Sequence, residues 1–389
     1  MQLLEVNDNP QYKKEFIQFP VRLYKNEKLW IRPMDHEIEE VFDPKKNKSF
    51  RQGECIRWIL QNNAGETIGR VAAFFNKKTA RSYEQPTGGL GFFDCIDDEA
   101  AAFQLFDACK AWLQERGMEA MDGPINFGDR DRWWGVLIDG FDKEPNYGMF
   151  YHFPYYQRLF EAYGFQIYYK QFTYARKVLD PLSEQVNAKA ERVARDPNYT
   201  FRHIEKKKLD AYAEEFRTIY NKAWTRHQGV AAMSSAQAKG LMQKMKPILD
   251  EDIIWFSYYK GEPVGFFIIL PELNQIFKHL NGKLDWWGKL QFVYHKWRGT
   301  CKKMFGVVFG IVPEHQGKGL EGAMVVATGK HVQHEGFRYQ DFEMNWIGDF
   351  NPKMVHVAEQ MGGRLAKVHA TYRKLFDETK PFTRAKVIE

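Results

Sequence analysis

The stretch Val312–Met324, VPEHQGKGLEGAM, carries glycines at 317, 319 and 322 in the spacing Gly-x-Gly-x-x-Gly. An apolar run, MFGVVFGIV, precedes it and reads as a strand; helical periodicity follows over 320–335. Three phosphate-binding loops share such a pattern. A Walker A loop needs a hydroxyl directly after its lysine to hold magnesium, but Lys318 is followed by Gly319, which excludes it. A dinucleotide loop turns tightly off its strand, whereas Pro313, Glu314, His315 and Gln316 intervene here. Asp341 stands where a ribose-binding acid would, yet the chain left after Gly322 is too short for a six-stranded doubly wound sheet. The third possibility is a strand, a short loop and a helix mouth whose unpaired N–H groups and positive dipole end face a diphosphate. Gly317 and Gly319 then remove Cβ atoms that would hold the ligand off the backbone.

Bulk properties agree with an enzyme for anionic ligands. At 389 residues the chain has room for two domains, and 44% apolar with 27% charged residues is the balance of a folded protein. A net charge of +6 falls short of the basic stripe of a dedicated nucleic-acid binder. Cys55, Cys95, Cys109 and Cys301 are scattered without C-x-x-C or finger spacing, so reduced core thiols are expected, with no structural metal. The opening MQLLEVNDNPQYKKEF lacks the basic-then-apolar order of a secretory signal. No run approaches the roughly 18 apolar residues of a membrane span, and a cytoplasmic protein is expected.

Two halves follow one plan. Strands are predicted at 2–6, 55–62, 67–75, 90–96, 118–122 and 166–176, with helices at 10–24, 98–117 and 154–163. The polar segment 180–198, bounded near its ends by Pro181 and Pro197, reads as a linker. Beyond it the order recurs: a strand near YTFRHIEK, helices at 207–227 and 234–249, strands DIIWFSYY, PVGFFIIL and MFGVVFGIV, the 320–335 helix, strand FRYQDFEMNW, a helix at 351–361 and strand RLAKVHATYRKLF. Glu161, Gly164, Thr173 and Tyr174 are echoed by Glu359, Gly362, Thr371 and Tyr372 at one constant offset, which points to duplication. RGMEAMD at 116–122 beside EGFRYQD at 335–341 is a weaker echo. The predicted domains are 1–179 and 199–389.

In the second half, Gln316, Gly319 and the Val312–Pro313 strand end resemble motif A of the GCN5-related N-acetyltransferase (GNAT) superfamily. Glu321 departs from it, standing where that pattern has Gly or Ala. The resemblance implies an α/β (α+β) fold of two tandem acyl-CoA N-acyltransferase-like domains, each a mixed, mostly antiparallel sheet flanked by helices. It implies acetyl-CoA or a longer acyl-CoA as co-substrate, held by Ile311, Val312, Gln316, Gly317, Lys318, Gly319, Leu320, Glu321 and Gly322. In the first half the equivalent turn, CIDDEAAAF, offers Asp97, Asp98 and Glu99, which repel a diphosphate.

The resemblance further implies a pantetheine arm lying between splayed strands, FGVVFGIV and QDFEMNW, with the thioester near Asn345 and Trp346. The incoming amine must lose a proton. Asp341, Glu343 and Asn345 share one strand face by the period of two, making Glu343 the candidate base, against the alternative of an exposed strand charge. The superfamily's thiolate-protonating tyrosine is replaced by Ala358, and by Phe160 in the first half. Tyr372 or His356 is the candidate substitute, and positioning alone the alternative. The function implied is N-acyl transfer to a small-molecule or peptide amine held between the domains. The alternatives are a silent CoA-binding scaffold and a peptidyl-type transferase using aminoacyl-tRNA.

The segment 271–303 interrupts the expected strand order. It carries Lys278, Lys283, Lys289, Lys296, Arg298, Lys302 and Lys303 with Trp286, Trp287 and Trp297 interleaved. A packed cap, a lid or membrane-surface contact, and a nucleic-acid groove all show this composition. There is no strong case for nucleic acid. The stretch 123–141 adds Asp129, Arg130, Asp131 and Arg132, expected to form a surface network or to contact substrate.

Overall fold

The alternating and apolar runs become strands, and their order across the sheet departs from two independent domains. The structure, a computed structural model, describes residues 1–82, 84–128, 130, 132–224 and 232–388. The first half contributes β1 (Gln2–Glu5), β2 (Gly53–Gln61), β3 (Thr67–Asn76), β4 (Thr87–Cys95), β5 (Ala120–Gly123), β6 (Val136–Asp139) and β7 (Gln166–Lys177). The second contributes β8 (Tyr199–His203), β9 (Ile254–Tyr259), β10 (Glu262–Pro271), β11 (Lys303–Ile311), β12 (Asp341–Gly348) and β13 (Arg364–Leu375). Hydrogen bonding runs β1-β2-β3-β4-β5-β13-β7-β12-β11-β10-β9-β8, with β6 beside β13. Among the described residues, only β4 with β5 and β11 with β12 pair in parallel.

The last strand of each half therefore completes the other half's sheet. β13 pairs with β5, setting Tyr372 opposite Gly123, and β7 pairs with β12, setting Tyr174 opposite Met344. The two exchanged strands lie side by side at the centre. The repeated residues meet across this exchange in reciprocal pairs. Tyr174 donates to Glu359 at 3.3 Å, and Tyr372 to Glu161 at 3.1 Å. Gly164 and Gly362 take φ of 92° and 79°, the left-handed turn after each helix that glycine adopts without strain. Each is covered by a basic side chain from the other half, Lys374 over Gly164 and Arg176 over Gly362.

The cores follow the sheets rather than the sequence halves. Ala370 and Tyr372 are buried with Phe93, Phe106 and Phe160 of the first half, while Tyr174 and Val178 are buried with Phe256, Phe342 and Met344 of the second. Division at 180–198 is thus a division of the chain, not of the packing. That segment is no free linker either: Ser183 caps a helix, Glu184–Ala194, which buries Val186, Ala190 and Val193 against the second half. The apolar residues at 186, 190 and 193 form the i, i+4, i+7 stripe of a packed helix.

Candidate acyl-CoA site

The chain between β11 and the Leu320–Val332 helix is shaped by two left-handed glycines, Gly317 (φ 70°) and Gly319 (φ 87°). Gln316 closes the turn by donating from its side chain to the Ile311 carbonyl at 2.8 Å. Ile311 and Val312 are buried and anchor the strand end. Gly319 is the N-cap and makes no side-chain cap bond, and the first helical backbone bond runs from the Ala323 N–H to the Gly319 carbonyl. Among the described residues no protein acceptor engages the amides of Leu320, Glu321 and Gly322. Such a mouth presents donors and a partial positive charge to an anion. Lys318 adjoins it, and so does Lys189, whose Cβ lies 3.5 Å from where a Cβ on Gly319 would sit. Sequence reasoning missed Lys189 because it belongs to the connecting helix. Gly322 has another reason to be small: a Cβ there would lie 3.5 Å from the Val186 carbonyl and 3.6 Å from its methyl, so it faces the connecting helix.

The first half closes the same feature. Asp98 caps its Glu99–Gln114 helix through the Ala101 N–H at 2.8 Å, and Asp97 and Glu99 both hold Arg158. Its helix mouth already carries its own anion.

Next to the open mouth the sheet splits. β11 and β12 pair from Lys303 opposite Asp341 to Gly306 opposite Met344 and then part, although both strands continue to Ile311 and Gly348. The split begins at a bulge, where Ile268 faces Val308 and Ile269 faces Gly306, leaving Val307 over and bending β11 away. The wedge is a cavity of about 260 Å³ lined by Phe267, Val308, Phe309, Asn345, Met354 and Met361 among others. In the first half β4 and β5 also part after Gly89 opposite Asp122, but Ile125 fills that wedge, donating its N–H to the Leu90 carbonyl at 2.8 Å. Gly91 is glycine because the Ile125 carbonyl occupies its Cβ position.

The proposed catalytic side chains scatter. Asn345 lines the slot, its carbonyl oxygen accepting from Thr173 Oγ1 at 2.9 Å. Glu343 is neither an exposed charge nor a ready base. It is 5% exposed and bonded to Lys303 at 2.6 Å and to Lys367 at 2.7 Å. Burial alone would raise its carboxyl; Lys367 and Lys303 outweigh burial and hold it down to about 2. A carboxylate so acidic is a weak proton acceptor at neutral pH, and its role is to tie β11, β12 and β13 together. Tyr372 lies in the other sheet, fully buried against Phe160, because of the strand exchange. Tyr174 takes its place in the second half, with its hydroxyl on Glu359. His356 is exposed and bonds Gln360, whereas Ala358 lines the slot. Among the described residues none that lines the slot carries a titratable side chain.

A second cavity of about 400 Å³ lies between the halves, lined by Phe74, Gly89, Asp122, Ile125, Tyr168 and Phe350 among others. Phe350 borders both cavities. Trp346 stacks at 6.2 Å on Tyr169, which Phe350 meets edge-on at 5.1 Å. Asp122 is held by Arg373 through two bonds, 2.6 and 2.8 Å. Of the charged run at 129–132, Arg132 pairs with Glu37 at 3.1 Å and Arg130 lies 5.5 Å from the Trp134 ring; Asp129 and Asp131 fall outside the described residues.

Exchanged central strands, a parted parallel pair and an uncapped glycine loop in one half define the tandem GNAT fold. The chain resembles a tandem GNAT protein of the clavulanic acid biosynthesis pathway, with a TM-score of 0.55 at 8% identity over 97% of this chain and 99% of that one. A GCN5-related N-acetyltransferase from Sphaerobacter thermophilus gives a TM-score of 0.50 at 10% identity, covering 98% of each chain. In sequence, the chain is 27% identical to the bacterial ceramide synthase of Caulobacter vibrioides over 94% of its own length and 95% of that protein. It is 26% identical to protein YghO of Escherichia coli over 93% of its length and 92% of that protein. No family model matches the chain. Among the described residues no helix is long and apolar enough to cross a membrane.

Proposed function

We propose that this protein transfers an acyl group from acyl-CoA to the primary amine of a long-chain base, forming an amide. The observation that carries the acyl-CoA reading is the uncapped mouth of the Leu320–Val332 helix opening beside the parted strands β11 and β12. The amides of Leu320 to Gly322, with Lys318 and Lys189, would hold the diphosphate, and the strand edges from Val308 to Val312 would hold the pantetheine arm. Bound there, the thioester supplies the activated carbonyl. Phe267, Phe309, Met344 and Met361 make the slot apolar and favour a fatty acyl chain over an acetyl group. The similarity to a ceramide synthase supports the long-chain amine as acceptor. The 400 Å³ cavity beyond Phe350 is the place for it. Acyl-CoA is made in the cytoplasm, where this reading puts the enzyme.

With no titratable side chain lining the slot among the described residues, acceleration rests on holding a neutral amine against the thioester, a contribution of up to roughly 7–11 kcal/mol. Asn345, fixed by Thr173, is the polar group available to orient the reacting carbonyl. The same lack favours a second reading, a protein that binds acyl-CoA without turnover. Incubation with acyl-CoAs of graded length and a long-chain amino alcohol, with thiol release and amide product measured together, separates the two. Product formation with stoichiometric thiol release supports the enzyme. CoA-dependent thermal stabilisation without product supports the binder, and the absence of both overturns the site reading.

A further inference from the structure

The helix Trp286–Trp297, inserted between β10 and β11, is amphipathic in reverse. At 100° per residue, Trp286, Trp287, Leu290, Val293, Tyr294 and Trp297 fall on one stripe about 120° wide. All six are exposed, Trp286 at 68%, Trp287 at 67% and Trp297 at 81%. The opposite face is bolted to the body of the protein. His295 stacks on His279 at 4.2 Å, Phe292 packs on Phe277, and Gly288 is buried with its N–H capped by Asp285 at 2.9 Å. The apolar stripe is therefore not a misplaced core face; the core contact is made by other residues, and the stripe projects outward from a rigid platform. Contiguous exposed apolar surface on a folded protein marks a contact.

The borders of the stripe indicate what it contacts. Lys289 and Lys296 lie along one edge and Arg298 along the other, with Lys283 and Lys302 just outside the helix. Among the described residues no carboxylate pairs with Lys283, Lys289, Arg298 or Lys302. The exposed carboxylate nearest in sequence, Asp285, is spent on the cap. Tryptophans at the ends, aliphatic Leu290 and Val293 between them, and a basic margin match a bilayer interface with anionic headgroups. A nucleic-acid groove would present stacking rings throughout, and Leu290 and Val293 do not stack on bases.

We propose that the Trp286–Trp297 helix lies in the surface of an anionic membrane and docks the protein there. The insertion re-enters the sheet at Lys303, the first residue of β11, whose far half walls the slot. The proposal does not depend on catalysis.

The test is co-sedimentation of the full chain with phosphatidylcholine vesicles, with and without phosphatidylglycerol. The wild type is expected to sediment with the anionic vesicles. Trp287→Ser with Trp297→Ser is expected to lose at least about tenfold in partitioning. Lys289→Gln with Arg298→Gln is expected to lose roughly twenty-five-fold on anionic vesicles only, since each basic group near an anionic surface is worth about fivefold. A cooperative thermal unfolding transition at the wild-type Tm shows that the variants fold. Wild type left in the supernatant, or tryptophan variants that sediment as wild type, overturns the proposal. So does a wild-type dimer in sedimentation velocity that the tryptophan variants split, or tRNA retention that the same variants abolish.

Discussion

Gly319→Asp separates binding from folding at the proposed diphosphate site. Gly319 has φ of 87°, and a Cβ there would meet Lys189 Cβ at 3.5 Å, the Lys189 carbonyl at 3.7 Å and a Val193 methyl at 3.7 Å, all ordinary contacts. The cost to folding is backbone strain of about 1 kcal/mol, which Asp tolerates better than most residues. A carboxylate at the N-cap recovers up to about 1 kcal/mol from the first-turn amides. Stability should therefore change by no more than about 1 kcal/mol. For a chain of 389 residues, at roughly 2.1 cal/mol/K per residue, the unfolding entropy is about 0.8 kcal/mol/K, so Tm moves by about 1 °C. Ligand at a hundred times its Kd stabilises the wild type by about 2.7 kcal/mol, or about 3 °C. In the variant the new carboxylate occupies the amides and repels the diphosphate, and that 3 °C should vanish. Gly319→Ala carries the strain without the charge and should keep most of the shift, because a Cβ at 319 rests against Lys189 and Val193 of the connecting helix, not against the ligand as the glycine spacing alone suggests. Differential scanning fluorimetry with CoA and with a long-chain acyl-CoA measures all three proteins. An undiminished shift in Gly319→Asp refutes the placement of the diphosphate.

Three further outcomes are expected. Tyr372→Phe removes one hydroxyl bond to Glu161 and should cost about 1 kcal/mol of stability while leaving turnover intact; a tenfold fall in kcat would return Tyr372 to the catalytic machinery. Glu272 is buried, one oxygen accepting the Tyr147 and Asn274 N–H groups and the other without a partner, and burial raises its carboxyl to about 7. Its contribution to stability is complete below the unfolded value near 4.5 and is lost as pH rises through 7, about 3 kcal/mol in all. Buried His369, lowered to about 4, does the reverse, costing stability as pH falls from about 6.5 toward 4. Relative to the wild-type curve from chemical denaturation between about pH 4.5 and 6.5, Glu272→Gln should therefore tilt stability upward with pH by about 1 kcal/mol per unit and His369→Gln downward by as much. Parallel curves for all three would show that neither group stays buried as described. With no titratable side chain lining the slot among the described residues, kcat/KM should rise with pH until the acceptor amine is neutral and then level. An acid limb near pH 6 that persists when the amine is changed would reveal a protein base.

What the sequence settled by itself was local. Gln316, Gly317 and Gly319 announced an uncapped helix mouth because glycine at positive φ and a missing cap are properties of a few adjacent residues. Asp97, Asp98 and Glu99 excluded the first half for the same reason. The repeat was legible too, since Gly164 and Gly362 answer to identical turns. What only the tertiary structure decided was which surfaces those segments meet. β7 and β13 carry the same pattern, so alternation could not say which sheet each would complete, and the exchange put Tyr372 in the first half's sheet on Glu161 and Tyr174 in the second half's on Glu359. Glu343 shares a strand face with Asn345 in both readings. Whether it is a base depended on Lys303 and Lys367, from strands 40 and 24 residues away, because a carboxyl's acidity is set by the charges around it rather than by its neighbours in the chain.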